Sequence, residues 1–156
     1  LATPGVRGLH ELRTRRMAHQ ALVDAHVLVD ARISVSEGHR IAESARAGVL
    51  REHHDVLDVL VHIDPEDDLD PDLAAAGLRP REALPEELAD LLVPLPTPEH
   101  VVLHYLGGRV EVEVFLAHDV FADISALRST EAALAERIKD HPAIRSISLN
   151  FRIAPE

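Results

Sequence analysis

The sequence predicts an α+β chain in which one ββαβ unit is used twice. Two segments of period-two alternation, a helical stripe and a further strand occupy the first half. The same order recurs in the second half, as an internal duplication requires. An acidic, proline-rich stretch separates the two, placing a first unit at 1–65, a connector at 66–98 and a second unit at 99–156.

Leu9–Met17 reads as the first strand. In Leu22–Asp30, Val23, Ala25, Val27 and Val29 share one face, and Asp24, His26 and Asp30 share the other. Ser34 and Glu37 have the spacing of a capping box and mark a helix start. Val35, Ala42, Ala45, Val49 and Leu50 give that helix an apolar stripe. In the strand Val56–Asp64, Leu57, Val59, Val61 and Ile63 point one way and Asp58, Leu60, His62 and Asp64 the other. A helix lies between this strand and its predecessor, so no tight hairpin joins them and parallel pairing is expected.

The connector opens on the acidic stretch Glu66-Asp67-Asp68-Leu69-Asp70-Pro71-Asp72 and contains a short helix over Glu82–Leu92, stopped by Pro94, Pro96 and Pro98. In the second unit, His100–Leu106 and Val110–Leu116 form a hairpin through Gly107-Gly108. Val110, Val112 and Val114 alternate there with Glu111, Glu113 and Phe115. A helix over Ser125–Asp140 turns Leu127, Leu134 and Ile138 inward, and Ile144–Ile153 closes the unit with Ile147, Leu149, Phe151 and Ile153.

The 46% hydrophobic content suits a packed interior, and with 3% aromatics that interior rests on Val, Leu, Ile and Ala. No apolar run approaches the roughly 18 residues of a spanning helix, so this piece reads as soluble. It opens Leu1-Ala2-Thr3-Pro4, with neither an initiating Met nor a signal-like stretch, as a fragment of a larger protein would. The net charge of -11 argues against nucleic acid and anionic lipid as partners and favours cations. There are no cysteines, which excludes disulfides and thiolate sites, whereas eleven histidines are a rich supply of the commonest transition-metal ligand.

His62 and Asp64 leave the same strand face, His26 lies on the polar face of another strand, and His10 lies on or just before the first. Four nitrogen and oxygen donors from three strands suit zinc, which takes about four such ligands at roughly 2.0–2.2 Å. His39, in the first turn of the helix, is a donor for this site or for a second one nearby. A single histidine on a strand is ordinarily a surface or hydrogen-bonded residue, so the weight rests on the convergence. The run Asp64–Asp72 lacks the glycine and the distal glutamate of an EF-hand and reads as solvated linker. Arg13, Arg15 and Arg16 read as a solvated strand face. His53 and His54 suit the negative end of the helix dipole, and His19, His100, His104, His118 and His141 show no convergence. No nucleophile with a matched base and no phosphate loop stands out, so an enzyme is not expected.

These residues also resemble a family. Gly5-Val6-Arg7-Gly8-Leu9-His10-Glu11-Leu12-Arg13-Thr14-Arg15 is similar to the opening of the cytoplasmic C-terminal domain of cation diffusion facilitator (cation efflux) transporters. Asp24-Ala25-His26-Val27, Glu37-Gly38-His39 and Val61-His62-Ile63-Asp64-Pro65 resemble its second strand, helix start and closing strand, in the correct order. The resemblance implies a small ferredoxin-like domain that dimerises on the cytoplasmic side of the membrane. The domain belongs to an integral membrane protein that exchanges protons for zinc, manganese, iron, cobalt, nickel or cadmium. It implies metal binding (Zn2+, or another ion such as Mn2+, Fe2+, Co2+ or Cd2+) at His10, His26, His39, His62 and Asp64, which tightens a homodimer and regulates transport. The transport site belongs to the transmembrane part of the same protein.

The family's domain usually ends near the position of Pro65, and this chain continues. Aligning the closing strands sets Asn150 against His62 and Arg152 against Asp64. Arginine stays protonated and cannot be a ligand, so the second unit reads as a copy without the metal cluster, able to pack on the first as an internal pseudo-dimer. Two other readings stand beside the regulatory one: a metal-free dimerisation or interaction module, and a metal-dependent hydrolase, for which the sequence offers no general base.

Overall fold

A computed structural model describes residues 3–67, 80–81, 85–93 and 95–152. Residues 68–72 of the acidic run, Glu82, Pro94 and Ile153 lie outside the described residues. The chain divides into two compact units, Leu1–Asp70 and Pro71–Glu156. Each is a three-stranded sheet with helical cover, the duplicated ferredoxin-like ββαβ arrangement expected.

In the first unit, β1 (Gly8–Met17) pairs antiparallel with β2 (Gln20–Leu28), and β2 pairs in parallel with β3 (Val56–Asp64) across the helix α1 (Val35–Glu52). The central strand buries Ala25 and Val27 completely or nearly so, as period-two alternation requires of the face under a helix. Ser34 caps α1 by accepting from the Glu37 amide. The helix buries Gly38, Ala42 and Ala45, small residues that let it lie close on the sheet. A β-carbon at Gly38 would stand 3.2 Å from Ile63 Cγ2.

Two expectations about faces change. Val35, the first residue of the helix, is 92% exposed rather than part of the buried stripe. Leu57 is 49% exposed because the register skips it: Ala21 faces Val56 and Leu22 faces Asp58. Strand β2 also stops at Leu28, short of Asp30.

In the second unit, α2 (Pro85–Leu92) precedes β4 (His100–Leu106), β5 (Arg109–Ala117), α3 (Ile124–Ile138) and β6 (Ile144–Arg152). The helix read as part of the connector therefore belongs to this unit: Leu88, Leu91 and Leu92 pack on a core of Val110, Val112, Val114, Leu116, Ile138 and Ile144. Asp123 caps α3, which ends at Ile138 rather than Asp140. No helix among the described residues is long and apolar enough to cross a membrane.

Candidate metal centre

The registers of the first sheet line up three imidazoles. Antiparallel pairing sets His10 opposite His26, and parallel pairing sets His26 opposite His62. Residues directly opposite share a face, so the row His10–His26–His62 crosses the sheet on the side away from α1. Asp64, two residues past His62, is on the same side.

Asp64 draws the row together. Its Oδ2 lies 3.0 Å from His10 Nε2 and 2.8 Å from His26 Nδ1. One donor atom each from His10, His26 and Asp64 lie within 4.8 Å of one another. Donors around a tetrahedral zinc at roughly 2.1 Å stand about 3.4 Å apart, so this set fits a small divalent cation with little movement. The His10 side chain is 9% exposed and that of Asp64 18%, so solvent competes weakly for both.

His62 is exposed and stacks on His26, with ring centroids 4.4 Å apart and planes 14° apart. It is not among the donors that lie within 4.8 Å of one another. His39 sits on α1, on the opposite side of the sheet, where it lines a cavity of about 350 Å3 with Ile33, Val35, Ile63 and Pro65. The structure thus brings together His10, His26 and Asp64, sets His62 on their rim, and holds His39 apart.

Two carboxylates not singled out from the sequence stand behind the imidazoles. Asp67 Oδ1 lies 3.2 Å from His10 Nδ1, at an angle that leaves this buried nitrogen without a hydrogen bond. Glu11 Oε2 lies 3.7 Å from His26 Nε2. Glu11 is the extra residue of a β-bulge: the register runs His10 to His26 and then Leu12 to Ala25. Its φ of 44° is a left-handed value uncommon outside glycine. A non-glycine residue with positive φ inside a strand leaves no signature that alternation would reveal.

The family model described as cation efflux protein, cytoplasmic domain, matches residues 1–66. Metal tolerance protein C1 of Arabidopsis thaliana is 40% identical over 65 residues, which are 42% of this chain and 14% of that protein. Cation-efflux pump FieF of Pectobacterium atrosepticum is 36% identical over 62 residues, 40% of this chain and 20% of that protein. The chain thus spans 14% to 20% of the length of these relatives. The solved structure of MamM-CTD 215-293 is similar with a TM-score of 0.41 and 28% identity, over 42% of this chain and 82% of that one.

Proposed function

We propose that residues 1–66, which match the family model described as cation efflux protein, cytoplasmic domain, sense a divalent transition metal for a transporter whose membrane part lies elsewhere in the protein. The observation that carries this is the His10, His26 and Asp64 triangle, donors already within 4.8 Å of one another on one sheet face. Nitrogen-rich donors suit zinc first, though the affinity order of the first-row ions alone does not select it. His10, His26 and Asp64 would hold the ion, with exposed His62 as the fourth donor after a small rotation. The cation supplies a charge that locks the three strands of the site together.

The position of His39 gives dimerisation its place in this reading. The sheet lies between His39 and the triangle, so His39 joins the ligand set only from a second copy of the domain. A cation held by His10, His26 and Asp64, with the His39 of another molecule in place of His62 as the fourth donor, would tie two domains together. Binding then favours the dimer by mass action, and proton-coupled export of the same metal by the membrane part is the activity so regulated.

Zinc is expected to raise the melting temperature of the chain. At free zinc 100-fold above Kd the stabilisation is about 2.7 kcal/mol. His62→Ala combined with Asp64→Ala should abolish the shift. Protons compete with the metal for imidazole, so the shift should shrink as pH is lowered. An unchanged melting curve in zinc, at neutral pH, would sink the reading. A second reading, a metal-free dimerisation module, has one observation in its favour: Asp64 lies within hydrogen-bond distance of both His10 and His26, an arrangement that hydrogen bonds alone can hold. Calorimetric titration showing no heat with zinc, together with a dimer in sedimentation, would select it.

A further inference from the structure

The two imidazoles of the triangle each bond Asp64 through one nitrogen and face a further carboxylate with the other. His26 turns Nδ1 to Asp64 at 2.8 Å and Nε2 toward Glu11 at 3.7 Å. His10 turns Nε2 to Asp64 at 3.0 Å and Nδ1 toward Asp67 at 3.2 Å. A metal-bound imidazole gives its second ring N–H to an outer carboxylate or carbonyl, which fixes the tautomer and raises the basicity of the ligating nitrogen. We infer that Glu11 and Asp67 are the positioning carboxylates of this site, presenting His26 through Nδ1 and His10 through Nε2 to the cation; the inference rests on the cation-binding reading above.

Glu11 carries the stronger argument, because the backbone is bent to place it. A bulge re-aims one side chain out of the strand's alternation, and here the extra residue is Glu11, beside the row of histidines. Glycine adopts φ near +44° with little penalty, whereas a glutamate there is strained. Arg13 Nη2 donates to Glu11 Oε1 at 2.6 Å, which steadies the carboxylate and leaves Oε2 facing the imidazole. No such bulge occurs in the β4–β5 pairing, where the register runs without a shift. The strained residue, its arginine brace and the imidazole it faces thus occur together, on the unit that has the triangle.

The test separates position from stability. Glu11→Gly removes the carboxylate while suiting the bulge, so the metal-free chain should melt no lower than the parent and bind zinc 10- to 100-fold more weakly by calorimetry. Glu11→Gln keeps the length and one acceptor oxygen and should lose less. Asp67→Asn should weaken zinc binding in the same range. Cobalt bound in place of zinc should keep its ligand-field absorption bands in all three variants, because the ligands themselves are unchanged. Zinc affinity unchanged in Glu11→Gly and Asp67→Asn, with the parent chain binding normally, overturns the inference and leaves the cation-binding reading standing. A cobalt spectrum that changes coordination class in Glu11→Gly makes Glu11 a ligand and overturns the positioning role. A parent chain that binds neither ion overturns both proposals together.

Discussion

The two sheets share the register of their parallel strand pairs and differ in what they display. Ala21 faces Val56 before a one-residue slip, and Val110 faces Ile144 before the same slip. The Val29 amide donates to Asp64 O where the His118 amide donates to Arg152 O. On that shared frame the row His10–His26–His62 becomes His100–Phe115–Asn150, and Asp64 becomes Arg152. One donor of the row survives and the anion at its end is replaced by a cation. The backbone arrangement therefore does not depend on the His10, His26 and Asp64 triangle: what keeps it is the buried face of each sheet, and the polar face is free to diverge.

The buried faces differ too. Helix α1 buries Gly38, Ala42 and Ala45, whereas α3 buries Leu134 and Ile138 and is joined by α2. The second unit thus rests on larger side chains and the first on close approach of backbone. The largest expected effect follows. Leu116, fully buried among residues of its own unit, should cost about 2–5 kcal/mol on substitution by Ala, from lost burial and the cavity left behind. Thermal melts should show the second unit unfolding earlier, while calorimetry finds zinc binding by the first unit intact. Lost zinc binding in Leu116→Ala would show that the cores are not separate.

The next effect tests the divergence of the polar faces. Asp64→Arg copies the second unit's residue into the first and sets a guanidinium against His10 and His26. Zinc binding should fall by about 100-fold or more, which is about 2.7 kcal/mol. The reverse exchange, Phe115→His with Asn150→His and Arg152→Asp, adds to His100 the donors that the first unit has. It should create a weak zinc site, weaker than the first unit's because β4 has no bulge carboxylate. Equal affinity in the two units would remove the role given to Glu11.

Much of this was legible in the sequence, for a definite reason. Alternation reports which residues share a strand face, so His62 and Asp64 could be read as neighbours from their spacing. Helix starts were legible because Ser34 carries the capping chemistry in its own side chain. Strand partners were not: that His26 faces His10 and His62 together depends on two registers, which tertiary packing sets. His39 was grouped with the other donors because spacing along a helix does not say which side of the sheet the helix covers. Glu11 was passed over because a bulge breaks the alternation on which the reading rested, and Leu57 was assigned inward for the same reason.

The smallest expected effect lies in the two hairpins. The β4–β5 loop has φ of 56° at Gly107 and 68° at Gly108, the pattern of a type I′ turn. In the β1–β2 loop, Met17 faces Gln20 and the first loop residue, Ala18, has φ 52°. Left-handed backbone costs an alanine roughly 1 kcal/mol, and glycine's greater freedom in the unfolded chain returns about half or more of that. Ala18→Gly should therefore stabilise the first unit by no more than about 0.5 kcal/mol. Gly107→Ala should destabilise the second by more than this, because strain adds to crowding. The new β-carbon would stand 2.5 Å from Arg145 Nη2, which donates to Gly107 O. Arginine is flexible enough to swing aside, but it then gives up that hydrogen bond, a loss of about 1 kcal/mol. Opposite signs in the two melts, with the loss larger than the gain, are the expected result. Equal and opposite shifts would mean that Arg145 moves at no cost and that backbone conformation alone separates the two turns.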